Sequence, residues 1–310
     1  MNQHPPISKL KKSLFAIISI SIRFVGAFTV PFDFQSRTTP HCQRYTSEQL
    51  TAKTICTFDD DDFAGTQGDW PYTAADLNRL DNSDDSVFYD TPRFVTHIDD
   101  SAISALTQFY QQEFTSLNKE SLDVLDLCSS WISHLPNDGI TYGNVVGVGM
   151  NEQELASNEQ LTNFYVQDLN KDPLLPQFED NSFDVICNVV SVDYLTKPLE
   201  IFQEMHRILR PGGVSLMSFS NRCFPSKAIA MWLQADDIGR LTIVGSYYHY
   251  SAKWTSIEAL DLKDMLPTPK RPSAGEIMKN PSLGLAWMNA AAAVAKNNQG
   301  DPMFAVKGVK

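Results

Sequence analysis

What this sequence lacks narrows it first. No two of its five cysteines, Cys42, Cys56, Cys128, Cys187 and Cys223, stand in CxxC spacing, so neither a zinc site nor a disulfide framework is indicated. No GxGxxG loop follows an apolar run, which argues against a nicotinamide- or flavin-dependent oxidoreductase. No apolar stretch reaches the roughly 20 residues that a stable membrane span needs. No internal repeat is visible. Positive charge is scarce beyond the N-terminal segment: residues 58–310 hold 18 Lys and Arg against 35 Asp and Glu, whereas residues 1–57 hold 7 against 2. The overall net charge of −12 argues against nucleic acid as a partner, because phosphate contacts need a basic surface.

What is present begins with a basic leader, expected over residues 1–57. Lys9, Lys11 and Lys12 precede the apolar run Leu14–Ile22, which suits a signal h-region. Ala27-Phe28 follows, then a stretch with Arg37, Arg44 and Lys53 and few acids. This order resembles the bipartite presequences of algae with secondary plastids, which implies delivery to a plastid. A mitochondrial or secretory leader is the alternative. From 58 to 86 the chain is acidic and turn-rich, with Asp59–Asp62 in a run, and is expected to be a flexible linker.

From residue 87 to 310 the chain is expected to form one domain with an insertion at about 263–300. Asp99 or Asp100 can cap a helix whose apolar face is Ile103, Leu106, Phe109 and Tyr110. Strand-like runs then alternate with helical patterns. Val124-Leu125-Asp126-Leu127 passes at once into Cys128-Ser129-Ser130; Asn144–Val148 ends in Gly149-Met150-Asn151; Phe164–Val166 ends in Gln167-Asp168-Leu169; Ser182–Val190 precedes Ser191, Asp193 and Tyr194. A helix at 198–209 with Ile201, Phe202, Met205 and Ile208 inward leads through Pro211-Gly212-Gly213 into Val214–Ser218. Further strands are expected at Leu241–Tyr248 and, antiparallel, at 302–306, with an alanine-rich helix at 285–295. Alternating strand and helix give a mostly parallel sheet covered on both faces, with ligands outside the carboxyl ends of the strands.

The order of DVLDL, VVGV, a strand ending in Gln167-Asp168, NSFDVI and HRILRPGG resembles the class I S-adenosylmethionine-dependent methyltransferases over roughly 89–262. The resemblance implies an α/β, Rossmann-like, doubly wound sheet in three α/β/α layers, with an antiparallel last strand. It implies S-adenosyl-L-methionine as cofactor and methyl transfer to a small-molecule acceptor by in-line displacement. The cofactor-binding residues it implies are Arg93, Asp126, Cys128, Ser129, Ser130, Gly149, Asn151, Glu152, Asp168 and Leu169. Asp193, Tyr194 and His249 are the candidates to act on the acceptor. Arg222 and Lys227 would suit an anionic acceptor.

Two departures stand out. Cys128-Ser129-Ser130 replaces the glycine-rich loop of that family, and Gly149 stands where an acid usually binds the cofactor ribose. Asn151 or Glu152 is expected to substitute for that acid, and at least one serine hydroxyl to contact the cofactor. A methyltransferase-like domain that kept the fold and lost the cofactor is the alternative these departures allow.

Overall fold

Leu125, Leu127 and Ile186 turn to one side of a sheet, while Val124, Val185 and Cys187 turn to the other, and both sides are buried. That two-sided burial is why these strands read as continuous apolar runs. The computed structural model describes residues 52–66, 69–263, 272–280, 282–289 and 300–310. The expected leader, apart from residues 52–57, lies outside the described residues, as does much of the expected insertion.

The strands are β1 (Lys53–Phe58), β2 (Leu122–Leu127), β3 (Tyr142–Gly149), β4 (Asn163–Val166), β5 (Phe183–Val189), β6 (Leu209–Phe219), β7 (Ser256–Asp261) and β8 (Phe304–Val309). They form one sheet in the order β1-β7-β8-β6-β5-β2-β3-β4. β6, β5, β2, β3 and β4 run parallel, while β8 is antiparallel to β6 and β7, and β1 to β7. The α/β fold with an antiparallel last strand is therefore observed.

The helices are α1 (Asp85–Phe88), α2 (Asp100–Ser116), α3 (Glu152–Ala156), α4 (Pro198–Ile208), α5 (Ala230–Gln234), α6 (Asp237–Ser251) and α7 (Ala274–Lys279). α2 starts at the Asp99 cap and buries Leu106, Phe109 and Tyr110 on one face of the sheet. α4 buries Ile201, Phe202, Met205 and Ile208 on the other, beside Leu241, Val244 and Tyr248 of α6. Each such side chain contributes roughly 1.5–3 kcal/mol. Among the described residues no helix is long and apolar enough to cross a membrane.

Several expectations are corrected. The strand expected at 241–248 is the middle of α6, whose Asp236 cap accepts the Gly239 N–H. The next strand lies at 256–261, and the last spans 304–309 instead of 302–306. Residues 282–289 are helical, and the remainder of the alanine-rich segment lies outside the described residues. Residues 53–57, at the end of the expected leader, belong to β1 and pair with β7 at the sheet edge.

The span 58–86 is not a free linker. Trp70 and Tyr72 pack on Tyr247 of α6, and Arg79 bridges to Ile229. Two cations far away in sequence hold its acids, Lys171 on Asp84 and Lys227 on both Asp81 and Asp85, while the nearby Arg79 pairs with Asp85 at 2.8 Å. Residues 69–98 thereby form a strap.

One departure shapes the site. The β2–β3 crossover contains no helix: residues 128–141 form a loop tied down by side chains. Asn158 donates to Ser130 O and to Ser133 Oγ, while Gln160 donates to Leu135 O.

Candidate functional site

At the carboxyl ends of β2, β3, β4 and β5, under the strap, lies a cavity of about 340 Å³. That volume suits a small organic ligand. Asp126, Cys128, Ser129, Ser130, Gly149, Asn151, Asp168, Leu169, Arg93 and Tyr194 all line it, so ten of the expected residues come together. Glu152, Asp193 and His249 do not line it.

The loop after β2 is held from within. Ser129 N–H donates to Val148 O at 2.8 Å, folding the loop back onto β3. The Ser129 and Ser133 hydroxyls both donate to Asp126 Oδ2 at 2.6 Å. Burial pushes the Asp126 carboxyl up to about 6, against those two hydrogen bonds. The Ser130 hydroxyl donates to Glu154 Oε2, also at 2.6 Å. Both serine hydroxyls thus have partners inside the protein, where at least one was expected to contact the cofactor.

Gly149 has a steric reason. A Cβ there would lie well under 3.0 Å from the Ser129 carbonyl oxygen, so no acid can stand at that place while the loop keeps this path. Asn151 does not replace it either: its Oδ1 caps α3 and its Nδ2 donates to Tyr89 O and Asp90 O. Glu152 points away and is exposed. The carboxylate that α3 brings to the cavity is Glu154, buried, accepting from Ser130 and from the Arg93 N–H at 2.7 Å. The Asn151 cap signals it in the sequence, since the third residue after a cap lies on the same side of the first turn.

Asp168 lies at the cavity end of the β4 segment, where its Oδ1 accepts the Asn170 N–H at 2.9 Å. Asn170 in turn donates to Asp85 and to Tyr194 O, so strap and cavity floor share one hydrogen-bond hub. The Arg93 guanidinium stands 4.6 Å from the Phe88 ring centroid and 5.6 Å from that of Phe224, and donates to Phe88 O. Arg222 lines the cavity but is exposed and paired with Asp301 at 2.8 Å. Lys227, fully buried, pairs with Asp81 and Asp85 and is a strap anchor instead of an anion-binding side chain.

Backbone strain concentrates here. Cys128 (φ 59°), His134 (φ 56°) and Val190 (φ 43°) adopt left-handed backbone, and all three line the cavity. For a β-branched valine this is an outlier, and such strain costs of order 1–3 kcal/mol per residue. Burial first, then Asp126, pushes the Cys128 thiol up to about 12, which leaves it un-ionised at neutral pH. His134, missed in the sequence, is pushed down to about 4 by burial, and its Nδ1 has no partner among the described residues.

The other candidates sit elsewhere. His249 stacks on Phe63 at 4.5 Å, with Asp60 3.6 Å away, and takes no part in the cavity. Asp193 is buried with Oδ2 unpartnered, and burial pushes its carboxyl up to about 8. The folded protein therefore keeps a proton that the unfolded chain loses above about 3.8, and stability falls as pH rises from there through about 8. Asp193→Asn is expected to remove that slope and to be the more stable form at pH 9, by about 2–3 kcal/mol. Thermal denaturation from pH 5 to 9 checks it; an unchanged slope in the variant would refute the assignment.

Residues 129–217 match the sequence profile described as a methyltransferase domain. No curated protein matches the chain. Solved structures that resemble it include the cyclase SpnF (16% identity, 66% of this chain and 80% of that one, TM-score 0.40). Another is phosphoethanolamine N-methyltransferase 2 of Haemonchus contortus (16%, 71% and 61%, TM-score 0.38). A third is an S-adenosylmethionine-dependent methyltransferase of Mesorhizobium loti (14%, 67% and 100%, TM-score 0.36). Likeness at this level carries no functional weight.

Proposed function

We propose that this chain, whose residues 129–217 match a methyltransferase-domain profile, is a class I methyltransferase that binds S-adenosylmethionine in the strap-covered cavity and methylates a small-molecule acceptor. The observation that carries the proposal is Glu154: a buried carboxylate faces the cavity from α3 while steric closeness bars an acid at Gly149. The residues fit the cofactor's chemistry. Glu154 accepts two hydrogen bonds and retains lone pairs for ribose hydroxyls. Asp168 can accept from the adenine amino group, and Arg93 can take the methionine carboxylate. When bound, the cofactor supplies a methyl group already activated by its sulfonium.

The chain's own residues position and exclude water, which can supply much of the acceleration for such a displacement. The strap closes the site, held by the Lys227, Arg79 and Lys171 ion pairs. The helix-free β2–β3 crossover supports this reading over a dinucleotide, whose pyrophosphate needs a helix N-terminus after the first strand. The competing reading, a relic site, rests on the internal engagement of the Ser129 and Ser130 hydroxyls.

Calorimetry with S-adenosylhomocysteine on the full-length chain decides between them. Micromolar binding is expected, weakened about tenfold or more by Glu154→Gln and untouched by Glu152→Gln, since hydrogen bonds to a charged group contribute roughly 1.5–3 kcal/mol. No heat and no thermal shift at millimolar ligand would make the domain a relic.

We also propose that the leader directs the protein to a plastid, on the strength of its lysines, apolar run and Ala27-Phe28. A fluorescent fusion of residues 1–51, which stops before β1, should enter plastids, and Phe28→Ala should impair import. Mitochondrial or cytosolic fluorescence of the fusion would reject the proposal.

A further inference from the structure

The cavity has two chemically different ends. Glu154 and Asp168 lie beside β3 and β4; the end beside β5 and β6 is walled by Tyr194, Phe224, Tyr89 and His97. His97 meets the Phe224 ring edge-on at 5.4 Å, and Phe224 meets Tyr194 at 6.1 Å. Arg93 holds its guanidinium over Phe88, Tyr89 and Phe224, and no carboxylate pairs with that guanidinium among the described residues. Asp193 does not line the cavity, and Asp85 is paired with Arg79 and Lys227. A flat ring would find aromatic faces here.

His97 completes the wall. It sits exposed at the cavity mouth, and neither ring nitrogen has a hydrogen-bond partner among the described residues. We infer that His97 is the general base of this site and that the acceptor is a planar phenol-class hydroxyl compound. The inference rests on the methyl-transfer reading given above. In the step, the phenolic proton passes to the free imidazole nitrogen. The oxygen lone pair forms the new C–O bond to the methyl carbon as the C–S bond breaks, its pair remaining on sulfur. The imidazolium then returns its proton to water at the mouth.

The charges acting on His97 agree with that role. Partial desolvation by the cavity wall holds its imidazole below the ordinary value; Glu154, from α3, pulls it up and Arg93, on the strap, pulls it down. Arg222, on the segment after β6, also lines the cavity but is paired with Asp301. A neutral ring at pH 7–8 is ready to accept a proton.

The test uses phenol, 4-chlorophenol and 4-nitrophenol as probes of rising acidity. Calorimetry should show each binding to full-length protein saturated with S-adenosylhomocysteine. His97→Phe and His97→Gln should leave S-adenosylhomocysteine affinity within about twofold, which also shows that the variants fold. Single-turnover methyl transfer to phenol should fall about 100-fold in both variants, with the loss shrinking as the probe becomes more acidic. An equal loss for all three probes would mean a structural role and overturn the inference, as would absence of probe binding or of transfer in the unmodified protein. Failure of S-adenosylhomocysteine itself to bind is a separate outcome: it removes the cofactor reading, and this inference with it.

Discussion

Gly149→Asp, which restores the residue type expected at the end of β3, is expected to abolish binding of S-adenosylhomocysteine. The added Cβ meets the Ser129 carbonyl, a backbone atom that cannot swing aside, and the Leu155 side chain stands 3.2 Å away as well. The Ser129 N–H bond to Val148 O pins the loop at the same point. Relief requires moving residues 128–130, which carry the left-handed Cys128 and the Ser130 bond to Glu154. Overpacking of this kind costs about 1–3 kcal/mol of stability. Affinity should fall at least ~100-fold, because the displaced loop forms the cavity floor. Gly149→Ala should show most of the same loss, since the clash begins at Cβ. Calorimetry and thermal denaturation report both effects. An aspartate variant that binds more tightly than the natural chain would show that Gly149 is merely a missing ligand.

The same residues mark where the sequence could be read and where it could not. β2, β3, β5 and α4 were legible because each carries a strong local pattern: continuous apolar runs for doubly covered strands, and a one-sided stripe behind Pro198 for the helix. α6 was misread for a local reason too. Leu241–Tyr248 contains Thr242, Ile243, Val244 and two tyrosines, all suited to strands. Yet its fully buried positions Leu241, Val244, Tyr247 and Tyr248 follow helical spacing. Tertiary packing settled it: Phe58 of β1 lies against Gly245, where a Cβ would meet its ring at 2.6 Å.

The strap was illegible for a different reason. Asp81, Asp84 and Asp85 look like a solvated acidic run, and their cationic partners Lys171 and Lys227 lie 87 to 146 residues onward. Composition sees charge but not pairing. The cavity brings together positions that the sequence singled out, but the partners of their side chains could not be read from it. Ser129 and Ser130 were expected to offer a hydroxyl to a ligand, and their hydroxyls donate to Asp126 and Glu154. Glu154 was passed over for Glu152 because only helix geometry separates which of two first-turn acids faces inward.

Lys227→Met is expected to be the most destabilising single substitution in the strap, by about 3–5 kcal/mol. Methionine keeps most of the volume, so the loss is chiefly electrostatic. Lys227 Nζ lies 3.1 Å from Asp81 and 3.2 Å from Asp85, and donates to Ser83 O at 2.9 Å, with no exposed surface. Removing it leaves Asp85, itself 4% exposed, with Arg79 as its remaining cation. The strap carries Tyr89 and Arg93 into the cavity, so S-adenosylhomocysteine affinity should fall along with stability. A second substitution separates charge from packing. If the cost is an uncompensated buried carboxylate, Lys227→Met with Asp85→Asn should be more stable than Lys227→Met alone, a coupling of about 1–3 kcal/mol. Urea denaturation of the four forms measures it. Additive losses would mean that Lys227 acts through packing on Phe88, 5.5 Å from its ammonium, and that the strap is held by shape instead of charge.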